Sequence, residues 1–225
     1  MNTKINEKKD KKPIFFIIFQ CFLFAILISL IISVSLNATF INKIDNFIFY
    51  LINFIRSDFI NNLMLFITFF GESFVYVIII VTLLIIFFKK RKTFYPLIFM
   101  SIFSAIISTI FKELIQRARP IGEFATNLIV NYSFPSSWSF PSGHTQTSLV
   151  FYFLLTYILL NYFYNGKHRK LYLGLAIGFS SLIMLSRLVL GVHFFTDILA
   201  GVINATILIS NYLYFSKQIN LVIKQ

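Results

Sequence analysis

Two of the three histidines in this chain stand close to residues that could work with them. His193 and Asp197 are four residues apart, the spacing at which a carboxylate on one helix face or tight turn reaches an imidazole nitrogen. Such a bond fixes the tautomer and leaves the second ring nitrogen free to attack an electrophile. His144 closes the run Pro141-Ser142-Gly143-His144. A histidine arriving from a separate helix start could protonate a leaving oxygen. Three cations accompany them: Lys112, Arg119 seven residues later and followed by Pro120, and Arg187 after Ser186. On a continuing helix Lys112 and Arg119 would share nearly one face. Guanidinium forks match phosphate oxygens, and Ser142 and Gly143 add a hydroxyl and a backbone N–H at a helix start, where anions are favoured. A nucleophile, its orienting acid, a second histidine and a cationic cradle are the parts of phosphoryl transfer. Positioning and charge stabilisation supply most of its catalysis.

The elements that must position these residues are membrane helices. The 225-residue chain is 58% hydrophobic and 12% charged, with mean hydropathy +0.82. Ordinary globular proteins are roughly 45–50% apolar and about 25% charged. The apolar runs approach or exceed the ~20 residues that cross a hydrocarbon core ~30 Å thick. The expected architecture is all-α: a polytopic membrane protein of six transmembrane helices, with the polar islands at helix ends.

In chain order, a basic segment over 1–13 precedes a first span over 14–36, which is too long for a signal core and has no convincing cleavage site. An amphipathic segment over 37–62 reads as interfacial, with Phe47, Ile48, Leu51, Ile52 and Ile55 at helical spacing. A second run over 63–88 is interrupted at Gly71-Glu72-Ser73, and further spans are expected over 95–115, 144–164, 171–190 and 194–214. A loop rich in Asn, Ser and Pro precedes Pro141, and a tail occupies 216–225.

The formal charge of +12 is not spread as a nucleic-acid surface would spread it. It clusters between apolar runs, as in Lys8, Lys9, Lys11 and Lys12, in Lys89 to Lys92, in Lys167 to Lys170, and in the tail lysines Lys217 and Lys224. With six spans these clusters fall on one side, which should be cytoplasmic. Lys112 to His144 and Arg187 to Asp197 then share the extracytoplasmic side of the plasma membrane. The one cysteine, Cys21, lies in the first span, so neither an internal disulfide nor a Cys-His metal site is expected.

The segments Lys112-x6-Arg119-Pro120, Pro141-Ser142-Gly143-His144 and Ser186-Arg187-x5-His193-x3-Asp197 resemble the three-part signature of the type-2 phosphatidic acid phosphatase superfamily. All eleven specified residues match in order. The resemblance covers roughly residues 59 to 215, the expected phosphatase domain. It implies that His193 forms a phosphohistidine and is oriented by Asp197. It further implies that His144 protonates the leaving group and then activates water, while Lys112, Arg119, Ser142, Gly143 and Arg187 hold the phosphate oxygens. The implied activity is metal-independent, without a cofactor, on a lipid-linked phosphate monoester or diphosphate. Undecaprenyl diphosphate, phosphatidylglycerophosphate and phosphatidic acid are the competing substrates. A lipid phosphotransferase, or a non-catalytic transporter or structural protein, remains as an alternative, and the oligomeric state stays open.

The remaining polar residues are read as structural. His168 is expected in a solvated basic loop. Glu72, Glu113 and Arg117 are given interfacial roles first, and Tyr132, Phe134, Trp138 and Phe140 are read as interfacial anchors.

Overall fold

The computed structural model of the chain describes residues 2–120, 136–164 and 166–223. All the regular elements among them are helices: α1 (Asn2–Ser35), α2 (Thr39–Asn53), α3 (Asp58–Phe69), α4 (Ser73–Ile86), a 3₁₀ segment (Phe88–Phe94), α5 (Tyr95–Ile115), α6 (Gly143–Tyr162), α7 (Arg169–Val189) and α8 (Phe195–Ile223). Four stretches are long and apolar enough to cross a membrane: Pro13–Ser35, Phe88–Ile115, Arg169–Val189 and Phe195–Lys217. The pair α3 and α4, bent by 47° at its break, makes a fifth when counted as one span.

The expected span over 144–164 corresponds to α6, whose 20 residues rise about 30 Å but which is not among the stretches apolar enough to cross. It opens on Thr145, Gln146, Thr147 and Ser148, all buried, which lowers its apolarity. These polar groups face protein. The Gln146 side-chain amide donates to the Ser104 carbonyl at 2.8 Å, and Ser180 Oγ donates to the Ser148 carbonyl at 3.2 Å. Helix α6 is the hub of the bundle, packed by α5, α7 and α8, and its Val150, Phe151 and Leu154 are fully buried. A second apolar cluster joins α1 to α8 through Leu23, Leu27, Leu30, Ala200, Ile203 and Ile207.

Local chemistry sets several boundaries. Ser57 caps α3, its Oγ accepting from the Ile60 N–H, and Pro96 in the first turn suits the start of α5. Helix α5 ends at Ile115 because Gln116 takes the left-handed conformation, φ 48°. This corrects the expectation that Lys112 and Arg119 share one continuous helix face. Arg119 is carried instead on the non-helical segment that follows.

The 37–62 segment contains α2, whose Ile41, Asp45, Phe49 and Ile52 form a buried stripe while Phe40, Ile44, Phe47 and Leu51 face outward. Phe140, expected at the interface, is fully buried beside the α1–α8 cluster. Tyr132 and Phe134, and the last two residues of the expected tail, lie outside the described residues.

Candidate active site

Helices α4, α5, α6 and α7 each have one end at a common cavity of about 200 Å³. Its lining includes Lys112 at the end of α5, Gly143 and His144 at the start of α6, Arg187 at the end of α7, and Arg119 and His193 from connecting segments. Tyr76 of α4 and Ser137 add to the polar wall, with Ser73, Ser108, Thr109 and Thr147. Six of the eight expected site residues therefore meet at one cavity.

The other two lie just behind it. Ser142 is fully buried as the cap of α6, its Oγ accepting from Thr145 N–H at 3.4 Å and bonded to Thr145 Oγ1 at 2.9 Å. Asp197, also fully buried, stands behind His193 in the first turn of α8. The backbone joins the two: Ser142 N–H donates to the Asp197 carbonyl at 3.0 Å. This approach is close enough that a Cβ on Gly201 would come within 2.9 Å of the Ser142 carbonyl oxygen.

The bonding around His193 distinguishes its two ring nitrogens. Arg119 Nη1 lies 3.2 Å from His193 Nε2, and a guanidinium can only donate, so Nε2 presents its lone pair. The ring proton of the neutral form is thereby assigned to Nδ1, which faces Asp197 Oδ2 at 3.5 Å. That contact is long for a hydrogen bond, and contacts of this kind often tighten only when substrate binds. Burial, reinforced by the charges of Arg119, Arg187 and Lys112, holds His193 well below the ordinary histidine value. At neutral pH it is an uncharged imidazole aimed at a cationic cavity.

The cations are held by backbone and hydroxyl oxygens. Lys112 Nζ donates to the Trp138 carbonyl. Arg119 donates to the carbonyls of Ser137 at 2.6 Å and Val192 at 2.8 Å. Arg187, only 1% exposed, donates to Thr68 Oγ1 at 2.6 Å. Across the cavity, His144 Nε2 is 3.2 Å from Glu72 Oε1 at the α3–α4 break. Gly71 makes that break tight: a Cβ there would meet His144 Cδ2 at 2.6 Å and Ile183 Cγ2 at 2.9 Å.

Comparison with known proteins places the chain in a family. The PAP2 superfamily model matches residues 93–220. The chain is 32% identical over 175 residues to phosphatidylglycerophosphatase B of Bacillus subtilis (strain 168), which spans 76% of this chain and 83% of the relative. The chain belongs to the PAP2 superfamily. A solved structure, a transmembrane PAP2-type phosphatidylglycerolphosphate phosphatase from Bacillus subtilis, superposes with a TM-score of 0.78 at 28% identity. The match covers 89% of this chain and 96% of that one. The protein is thus a membrane phosphatase of the PAP2 superfamily, a hydrolase of phosphate esters.

Several residues of this PAP2 site were not assigned to it from the sequence. Arg117 Nη1 donates to Asp197 Oδ1 at 2.6 Å and its Nη2 donates to Asp45 Oδ2 at 2.7 Å. Ser139 Oγ donates to Asp197 Oδ2 at 2.7 Å. Thr196 gives its N–H to Asp45 Oδ1 at 2.9 Å and its hydroxyl to Asp45 Oδ2 at 2.8 Å. Arg117 left a signal as a charge near a span end, and Asp45 as a lone carboxylate in the same helical stripe as Ile41, Phe49 and Ile52, which must find partners once buried. Glu113 is exposed and is not part of the cavity wall.

Proposed function

We propose that this membrane phosphatase hydrolyses phosphatidylglycerophosphate through a phosphohistidine on His193, without a metal ion. The observation that carries the reading is the orientation of His193. Its Nε2 lies at the cavity wall with Lys112, Arg119 and Arg187, where it accepts from Arg119 Nη1 until that guanidinium turns to a bound phosphate, and its Nδ1 faces Asp197. The substrate is favoured over undecaprenyl diphosphate and phosphatidic acid by the kinship with phosphatidylglycerophosphatase B.

In this mechanism the three cations and the Gly143 N–H hold the non-bridging phosphate oxygens. The Nε2 lone pair forms a bond to phosphorus while the bond from phosphorus to the lipid oxygen breaks. His144, as the imidazolium, gives a ring proton to that oxygen, releasing the lipid alcohol. A water then loses a proton to His144 and attacks phosphorus, the P–N bond breaks, and inorganic phosphate leaves. Asp197 stabilises the ring while it carries positive charge. The lipid tail remains in the surrounding bilayer, between the helices.

The proposed site faces the extracytoplasmic side of the plasma membrane. Helix polarity supports this placement: α5 and α7 each run from a basic cluster, Lys89–Lys92 or Lys167–Lys170, to a site residue at the far end, Lys112 or Arg187.

The test is phosphate release by purified protein in detergent containing EDTA, with the three lipids offered side by side and His193→Ala as control. Release that persists in EDTA, favours phosphatidylglycerophosphate and drops at least about 10³-fold in the variant is expected. Preference for another lipid would overturn the substrate. Activity retained by His193→Ala would overturn the mechanism.

A further inference from the structure

Helix α2 stands outside the three signature segments, yet its one buried carboxylate reaches the acid behind the nucleophile. Asp45 is 1% exposed and takes three hydrogen bonds: from Thr196 N–H, Thr196 Oγ1 and Arg117 Nη2. Arg117 therefore bridges two carboxylates. One of its terminal nitrogens serves Asp45, while the other serves Asp197 Oδ1 and Thr196 Oγ1. Its guanidinium also lies 4.0 Å over the Phe194 ring, which meets Phe49 of α2 edge-on at 5.9 Å.

The effect on Asp197 is to fix both oxygens. Oδ1 is held by Arg117, and Oδ2 by Ser139 Oγ and by the Phe194 N–H at 2.9 Å. Only one direction is left for the His193 ring to meet the carboxylate. Arg119 grips the start of the same segment through the Val192 carbonyl and His193 Nε2. Arg117 grips its end through Thr196 and Asp197. A single planar guanidinium satisfies two buried anions here with forked geometry, which a lysine point charge cannot reproduce.

We propose that Asp45 and Arg117 are positioning residues of the hydrolytic site, fixing Asp197 and through it the His193 ring. On this view α2 is part of the active-site frame. The inference rests on the reading of His193 as nucleophile. Neither residue lines the phosphate cavity, so their loss should misplace the nucleophile without emptying the cradle.

Two quantities separate positioning from folding. Equilibrium dialysis with labelled inorganic phosphate counts intact cradles and gives their Kd, and steady-state hydrolysis then gives kcat per intact cradle. Asp45→Asn and Arg117→Lys should keep phosphate stoichiometry and Kd within about threefold while kcat per cradle falls about 10- to 100-fold, the scale of a misplaced reacting group. Asp45→Glu, which keeps the charge, should recover part of the loss. Phosphate stoichiometry that falls in step with activity, leaving kcat per cradle unchanged, would overturn the proposal and make the network merely structural. Should Arg117→Lys fail to fold, the Asp45 pair decides the outcome in the same way. His193→Ala runs alongside: phosphate binding without turnover upholds the underlying reading, whereas turnover in that variant sinks the reading itself, whatever Asp45 does.

Discussion

The two ends of this bundle use charge in opposite ways. At the basic end, Lys89, Lys90, Arg91 and Lys92 are all exposed, as are Lys167, His168 and Lys170. Two of them lie over aromatic rings, Lys90 Nζ 5.2 Å from the centre of the Phe163 ring and Arg91 4.6 Å from that of Phe88. At the site end, Arg187, His193, Asp197 and Asp45 are each no more than 1% exposed, and each has bonded partners. Exposed charge is well solvated and adds little to stability or chemistry. Buried charge is tolerated only with partners of good geometry, and removing one partner is far more damaging than never having had the pair. Substitutions should therefore separate the two ends by orders of magnitude.

On the proposed mechanism the largest effect belongs to His193→Ala, at least about 10³-fold in kcat, because it removes the atom proposed to bond to phosphorus. Next comes Gly71→Ala. Its new methyl group must displace His144 or Ile183, since neither 2.6 Å nor 2.9 Å is a tolerable approach. Moving the ring proposed to transfer the proton should lower kcat about 10- to 100-fold while leaving phosphate binding near wild type. Steady-state kinetics and phosphate dialysis on the same sample check both halves.

A smaller effect is expected from pH, and its sign follows from the environment of His193. Arg119, Arg187, Lys112 and His144 all oppose its protonation, in addition to burial. The nucleophile should therefore stay neutral below the ordinary histidine value of 6.5. For an ordinary imidazole the neutral fraction falls ~4-fold between about pH 7.5 and about pH 6. The part of the kcat/KM profile owed to His193 should fall by less. In stability the same shift works in one direction. The unfolded chain takes up a proton near pH 6.5 that the folded chain resists, so this contribution is fully present above that pH and is lost as pH falls. A pH–rate profile and thermal unfolding across the same range measure the two consequences.

The signature residues were legible because each segment is short and each role is local to its segment. Ser142 must start a helix, Arg187 must end one, and His193 with Asp197 must turn into the next. The helical class and most span positions were equally legible from apolar run lengths. The frame behind the site was not. Asp45 and Thr196 are 151 residues apart, and nothing in either neighbourhood names the other. Arg117 stands two residues from a signature arginine, and local sequence does not separate their tasks. That separation arises only after Gln116 ends α5 and the chain crosses the 192–197 segment. Helix α6 misleads apolarity for a related reason: Gln146 and Thr147 find partners on α5, and run length alone cannot record a partner.

The smallest effect should come from the basic end, and it sharpens the comparison most. Replacing Lys89, Lys90, Arg91 and Lys92 together with glutamine removes four exposed charges without touching any cavity residue. Cation–π contacts such as Arg91 over Phe88 contribute only about 0.5–1 kcal/mol at an exposed site, so purified protein should keep kcat within about twofold. Orientation in the membrane should respond instead, because an excess of Lys and Arg near span ends is what retains a loop on the cytoplasmic side. Accessibility of a cysteine introduced at Gly166 in intact cells reads that orientation directly. Unchanged kcat with a rising fraction of externally labelled protein would mean that the basic end acts only on topology. A large loss of kcat in detergent would instead mean that the 3₁₀ segment is coupled to Lys112 along α5, and the division of labour between the two ends would have to be abandoned.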